Sequence, residues 1–304
     1  MVTKTIDDTD QVELVKKTII RSIYGNDNLM DYLVVKGGNA IAYVHQIVLR
    51  QSIDVDFSLA ADYLENQSEE QLAKDLKDSL DTGFDEVGYH FFDFKFEKRP
   101  KEISKLGEFW GGYGVTFKII SNQNYQLIRQ KKLPTDKELE TLRRNAIEIG
   151  GSTKIEIDIS RAEKKQTKIE VDIEGLTVYA YSTEMIIAEK LRAICQQMDE
   201  YSPIIQRNRK GNSRAKDFFD IYLLCNQFNI DMSLPDNINL IKQIFAIKKV
   251  PLYLLDLLSE YKNLHEDSFQ SVKSTVVTSE SIHDFDFYFN YVENLYKKSI
   301  KPNL

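Results

Sequence analysis

Two cysteines, four histidines and no long apolar run are the scarcities that first narrow this 304-residue chain. Cys195 and Cys225 stand far apart with no further thiol to pair, which excludes a disulfide framework and a zinc knuckle and predicts two buried thiols in a reducing compartment. His45, His90, His265 and His283 are scattered, without the spacing of zinc ligands or of a nucleophilic triad. No stretch approaches the roughly 18 apolar residues of a membrane span, and the first residues, MVTKTIDDTDQ, hold no apolar signal region. No membrane association and a cytoplasmic location are therefore expected. Positive charge is short as well: the net charge of -7 excludes a general polyanion binder, because counterion release needs lysine and arginine arrayed along a surface. Basic residues gather only locally, at Lys95, Lys98, Arg99 and Lys101; at Arg129, Lys131 and Lys132; at Arg161, Lys164, Lys165 and Lys168; and at Arg207, Arg209, Lys210 and Arg214. Taken singly, each of these reads as a solvated face or loop. Fixed-period repeats and low-complexity segments are lacking too.

What remains is the composition of a folded globular protein, with 42% apolar and 29% charged residues. The length is enough for two packed lobes. Residues 10 to 24 carry apolar side chains at helical spacing and stop at Gly25. A short buried strand at Leu33 to Val35 precedes two glycines and a helix-like stretch from Ala40, and a second strand follows near Ile53 to Leu59. An amphipathic helix is predicted near Glu69 to Leu80. The runs HFFDFKFEKR and GYGVTFKII alternate as paired strands do, a charged helix falls near Asp136 to Ile149, and KIEIDIS and LTVYAYS alternate again. From Thr183 onward the pattern is helical. The expected class is α+β, with a sheet-bearing lobe over residues 1–181 whose mixed sheet is flanked by helices, and a helical lobe over 182–304.

Chemistry is signalled first by Asp54 and Asp56. They lie two apart on a predicted strand, so both carboxylates share one face while Val55 and Phe57 take the other. Paired hard oxygen ligands suit magnesium, with manganese as the alternative ion; two such ions about 3.5–4 Å apart activate a hydroxyl and stabilise a leaving pyrophosphate. Gly37, Gly38 and Asn39, between a strand and a helix, strengthen the reading. Glycines let the backbone approach a phosphate, free amides at a helix start attract its charge, and Asn39 is suited to cap that helix. A third acid is expected on a neighbouring strand, and in KIEIDIS Glu156 and Asp158 share the polar face opposite Ile155, Ile157 and Ile159. Asp158 is preferred, although spacing does not decide between the two.

At this point the stretch KGGNAIAYVHQIVLRQSIDVDFS resembles the signature of the AbiEii/AbiGii-type nucleotidyltransferase toxins, members of the DNA polymerase β-like nucleotidyltransferase superfamily. The family pattern of a glycine turn, an Arg-x-Ser step and Asp-x-Asp is matched by Gly37, Gly38, Arg50, Ser52, Asp54 and Asp56, with Asn39 where serine or threonine is usual. Downstream, STEMIIAEKLRAI is similar to the family's Ala-Glu-Lys segment, which places a functional lysine at Lys190. RAKDFFDIYLL resembles its Arg-x-Lys-Asp motif, which places a functional aspartate at Asp217 with Asp220 second. Spacing alone would make these three a surface ion-pair network on two amphipathic helices. The resemblance implies a toxin of a bacterial toxin–antitoxin or abortive phage-infection system, with an antitoxin encoded nearby. The implied activity is metal-dependent transfer of a nucleotide from an NTP to RNA, with tRNA 3′ ends the leading acceptor. Catalysis would rest on Asp54, Asp56, Asp158, Lys190 and Asp217, metal on Asp54, Asp56 and Asp158, and nucleotide on Gly37, Gly38, Asn39, Arg50, Ser52 and Lys190. The basic residues at Lys164 to Lys168 and Arg207 to Arg214 would track the RNA. Two rival readings are nucleotidylation of a protein hydroxyl and a nucleotide-binding module without catalysis.

Overall fold

The computed structural model describes residues 8–44, 55–60, 62–100, 109–161, 168–276 and 282–304. The first helix, Asp8–Tyr24, ends where Gly25 donates its N–H to the Arg21 carbonyl. Seven strands follow: β1 (Leu33–Lys36), β2 (Val55–Leu59), β3 (Tyr89–Arg99), β4 (Gly112–Ser121), β5 (Ile155–Ser160), β6 (Lys168–Ile173) and β7 (Leu176–Tyr181). They form one mixed sheet in the order β3-β4-β5-β2-β1-β7-β6. The β2–β5 and β1–β7 contacts are parallel and the other four antiparallel.

Alternation gives the sheet its two faces. Val55, Phe57, Ile155, Ile157, Ile159, Val115 and Phe117 are all buried on one of them. The Glu69–Glu86 helix covers this face, its Phe84 ring centroid 5.4 Å from that of Phe117. Tyr24 pins the first helix to the sheet, its hydroxyl oxygen lying 2.7 Å from the Leu33 carbonyl and 2.6 Å from that of Tyr179, so that its single proton is shared between them. The opposite face carries the polar row. From Thr183 onward the described residues are mainly helical, and one continuous cluster of buried apolar side chains runs from Val12 to Ile300.

The mixed sheet flanked by helices is the α+β arrangement expected. Two details differ. β6 is not among the expected strands, since Lys168 reads in the sequence as part of a basic patch. It is an edge strand on which Lys168, Glu170 and Asp172 alternate with Ile169, Val171 and Ile173, and charge on an edge strand discourages pairing with another chain. The charged helix spans Thr135–Arg144 and stops short of Ile149, which instead bridges to Ser152 across a Gly150–Gly151 turn with positive φ at both glycines. Cys195 and Cys225 are buried free thiols, and burial pushes the Cys225 thiol up to about 11. Among the described residues no helix is long and apolar enough to cross a membrane.

Candidate active site

After Lys36 the chain turns into a short helical segment, Gly37–Asn39. Gly37 has a φ of +65°, a conformation that side chains disfavour, and a Cβ there would stand 2.5 Å from Asp56 Oδ2. Backbone geometry and the close approach of a carboxylate thus both require glycine. Asn39 does not cap this segment; Lys36 occupies the cap position without a side-chain capping bond, and Asn39 lies inside the turn, fully buried. The helical stretch begins directly after the strand, at Gly37, and continues through Ala40–Val44, so Asn39 falls within its first turn and not before it.

Asp56 is paired in register with Lys36 on β1 and with Asp158 on β5. Residues paired across adjacent strands project to the same face, and neighbouring strands lie roughly 4.8 Å apart. Asp56 and Asp158 therefore project from adjacent strands to one face, with Gly37 against Asp56, a donor set whose chemistry fits magnesium or manganese. Arg50, Ser52 and Asp54 lie outside the described residues. Among the described residues no three Asp, Glu, His or Cys side chains are grouped to hold a metal.

Glu156 also lies on the polar face, one step along β5. Arg99, at the end of β3, reaches across β4 to both acids, donating from Nη1 to Asp158 Oδ1 at 2.5 Å and from Nη2 to Glu156 Oε1. Burial raises the Glu156 carboxyl, but Arg99 and Lys154 outweigh it and hold the group below its ordinary value. The path over β4 is open because residue 114 is glycine: a Cβ there would collide with the Arg99 guanidinium. The sequence alone puts Arg99 in a solvated patch and gives no sign of this contact.

The second cluster is built by two helices. Thr183–Cys195 follows β7 directly, its N-cap Ser182 accepting from the Met185 N–H at 3.3 Å, and Ala215–Gln227 packs beside it. Lys190 Nζ donates to Asp217 Oδ1 at 2.9 Å and to Asp220 Oδ2 at 2.6 Å, while Arg214 Nε donates to Asp217 Oδ2 at 2.5 Å. The Lys190, Asp217 and Asp220 side chains are 8%, 1% and 4% exposed, so this is a buried cluster and not the surface network that spacing alone suggests. Burial raises Asp217, yet the Arg214 and Lys190 charges outweigh it and hold its carboxyl well below the usual carboxylate range. Of the two cations Arg214 is the more exposed, at 29% of its side chain. Glu189, beside Lys190 in sequence, pairs with Lys36 at the start of the glycine turn at 3.8 Å and with Arg192 at 2.7 Å.

His265 carries no motif, and nothing in the sequence singles it out. Its Nδ1 accepts the Arg214 N–H at 3.2 Å, and its carbonyl accepts the Ser213 hydroxyl at 2.5 Å, so it fixes the approach of Arg214 to Asp217. Burial lowers its pKa to about 4, more than the nearby Asp217 carboxylate can restore. A histidine with a folded pKa below its unfolded value stays neutral in the native state while the unfolded chain takes a proton. Its contribution is therefore full above pH 6.5 and declines as pH falls toward 4, by about 1.4 kcal/mol per unit. Urea midpoints at pH 7 and pH 5 should differ in the native protein and converge in His265→Asn, whose Oδ1 still accepts from Arg214.

The basic patches have separate fates. Arg207 donates to the carbonyls of Gln196, Gln197 and Met198 and to the Ser202 hydroxyl, closing the end of the Thr183–Cys195 helix, so its donors are committed internally. Lys168 Nζ lies 3.5 Å from the Tyr179 ring centroid. Arg129 pairs with Glu138. Arg209 and Lys210 are exposed, whereas Lys101, Lys164 and Lys165 lie outside the described residues. An open concavity of about 600 Å³, lined by Leu64 to Gln71 without residue 70, includes none of the candidate carboxylates.

A family model described as nucleotidyl transferase AbiEii toxin, type IV TA system, matches residues 19–291. The chain belongs to the AbiEii toxin family. It is therefore a nucleotidyltransferase of a toxin–antitoxin family, and the turn, Asp-x-Asp and Lys190 segments all fall inside the match. Among solved structures, MenT4, a nucleotidyltransferase toxin from Mycobacterium tuberculosis, shares the fold with a TM-score of 0.50 at 11% identity, over 96% of this chain and 84% of that one. JHP933 from Helicobacter pylori gives a TM-score of 0.49 at 16% identity, over 97% and 93%. The comparison with curated proteins gives no match. The AbiEii assignment rests on the family match, and the MenT4 structure bears on the fold alone.

Proposed function

We propose that this AbiEii-family toxin transfers a nucleotide from an NTP to the 3′ end of an RNA, tRNA above all, and so blocks translation. The observation that carries the reading is the register of Asp56 beside Asp158 with Gly37 packed under the Asp56 carboxylate. Asp54, Asp56 and Asp158 would hold magnesium or manganese, which supplies charge neutralisation at the reacting phosphate and lowers the pKa of a bound hydroxyl. The terminal ribose hydroxyl attacks the α-phosphorus; a new P–O bond forms as the bond to pyrophosphate breaks. The tight turn at Gly37 and Gly38 lets main-chain amides approach the triphosphate, and the family pattern assigns Arg50 and Ser52 to the nucleotide as well. Lys190 and Asp217 act together: Asp217 holds both Lys190 and Arg214, and the exposed part of Arg214 offers a planar guanidinium to a phosphate. Arg209 and Lys210 extend positive charge away from this cluster for an RNA backbone. Family membership further implies a cognate antitoxin, and cytoplasmic action follows from the acceptor.

Incubation with each labelled NTP, total RNA and cell extract should place label on RNA from one preferred nucleotide, and Asp56→Ala should remove it. Label that survives ribonuclease and disappears with protease would replace this reading with transfer to a protein hydroxyl. Nucleotide binding without any transfer would reduce the protein to a binding module.

A further inference from the structure

The polar face already holds a cation of its own. Arg99 grips Asp158 and Glu156 at once, and Asp158 is the residue in register with Asp56. The guanidinium makes one charge-assisted hydrogen bond to each of the two carboxylates, and arginine keeps its charge at any physiological pH. The contact is built, not incidental. Arg99 starts from the end of β3, two strands from β5, and it arrives by passing over β4 at Gly114, where any side chain would strike it. Gly114 has no positive φ that would itself demand glycine, so the space above it is the explanation for the residue.

A guanidinium and a divalent cation on one carboxylate repel each other and draw on the same oxygen electron density, so each weakens the other's hold on Asp158. We infer that Arg99 is the resting counter-ion of the acidic face and competes with a divalent cation for Asp158, so that it sets the metal affinity of the protein. This rests on the reading of Asp56 and Asp158 as metal ligands given above. In the metal-free protein Arg99 keeps two neighbouring acids from repelling each other. When the ion arrives it takes over that role, and the guanidinium leaves the Asp158 oxygen. Affinity for the ion is then lower than the carboxylates alone would give, by the strength of the contact that must be broken.

The test uses manganese binding to the full chain, read by the loss of the free-ion paramagnetic resonance signal without nucleotide. Arg99→Gln should bind manganese roughly two- to fivefold more tightly than the native protein, the range expected for releasing a partly exposed ion pair. Gly114→Ala keeps every charge and displaces the guanidinium only sterically, and it should shift affinity in the same direction. Lys98→Gln removes a neighbouring charge that is paired with Glu69 and not with the acidic strand, so it should leave affinity unchanged. If Arg99→Gln binds no more tightly than native protein, or if Lys98→Gln shifts affinity as much as Arg99→Gln, the competition is overturned while the metal site stands. If Asp158→Asn and Asp56→Asn do not weaken manganese binding in the native background, the metal reading falls and the competition falls with it.

Discussion

Replacing Gly37 with alanine is expected to lower nucleotidyl transfer by about 10²-fold while the protein stays folded. The added methyl would sit 2.5 Å from Asp56 Oδ2, against an ordinary contact of at least 3.4 Å, so the carboxylate must retreat by about 1 Å. A displacement of that size at a reacting centre costs on the order of 100-fold in rate. The left-handed backbone adds a stability penalty of about 1–2 kcal/mol. Gly88 separates the two effects, because it also has positive φ, at +87°, but nothing lies within 4 Å of where its Cβ would stand. Gly88→Ala should therefore lose similar stability and retain transfer. Steady-state transfer rates and thermal melts of the two variants check this; equal loss of activity in both would detach Gly37 from the chemistry of Asp56.

The second large effect concerns the buried cluster. Lys190→Met removes the ammonium that faces both Asp217 and Asp220, and Arg214 then remains on only one oxygen of Asp217. Breaking a buried charge network by deleting one partner typically costs about 3–5 kcal/mol, because the remaining charges stay desolvated without compensation. A domain with a total stability of about 5–15 kcal/mol loses much of its margin. Urea unfolding should show the midpoint falling sharply in Lys190→Met, and adding Asp220→Asn, which removes one of the buried acids that faced the ammonium, should recover part of it. An unchanged midpoint in Lys190→Met would mean that the cluster contributes nothing to folding. Transfer by the residual folded fraction of Lys190→Met then separates a contribution to chemistry from one to stability.

Much of this arrangement is legible in the sequence wherever a signal is local. The alternation in KIEIDIS places Glu156 and Asp158 on one face and three isoleucines on the other, as observed, because a strand has period two. The pairing of HFFDFKFEKR with GYGVTFKII is equally plain, although the bulge between Phe92 and Lys95, which shifts the register, is not. The need for Gly37 follows from turn chemistry. What sequence does not supply is anything set by tertiary register. Arg99 reaches Asp158 only because β3, β4 and β5 align so that Gly114 lies beneath its path. His265 is distant in sequence from Arg214, and no periodicity links them. The Lys190 cluster shows the same limit: two acids three apart on a helix look like a solvated face until the packing of two helices buries them.

The two parallel strand contacts have a consequence for how the protein is made. β1, with the glycine turn at its end, gains its second neighbour only when β7 has been synthesised, and Asp56 meets Asp158 only once β5 has emerged. Asp217 and Asp220 come later still. Contacts of such sequence separation form late, since the intervening loop must close before they contribute. A nascent chain on the ribosome therefore carries the acidic face in pieces until β5 has emerged. The order of strands in the sheet delays assembly of the toxin's reactive surface until β5, β7 and the helices that carry Lys190, Asp217 and Asp220 have all emerged.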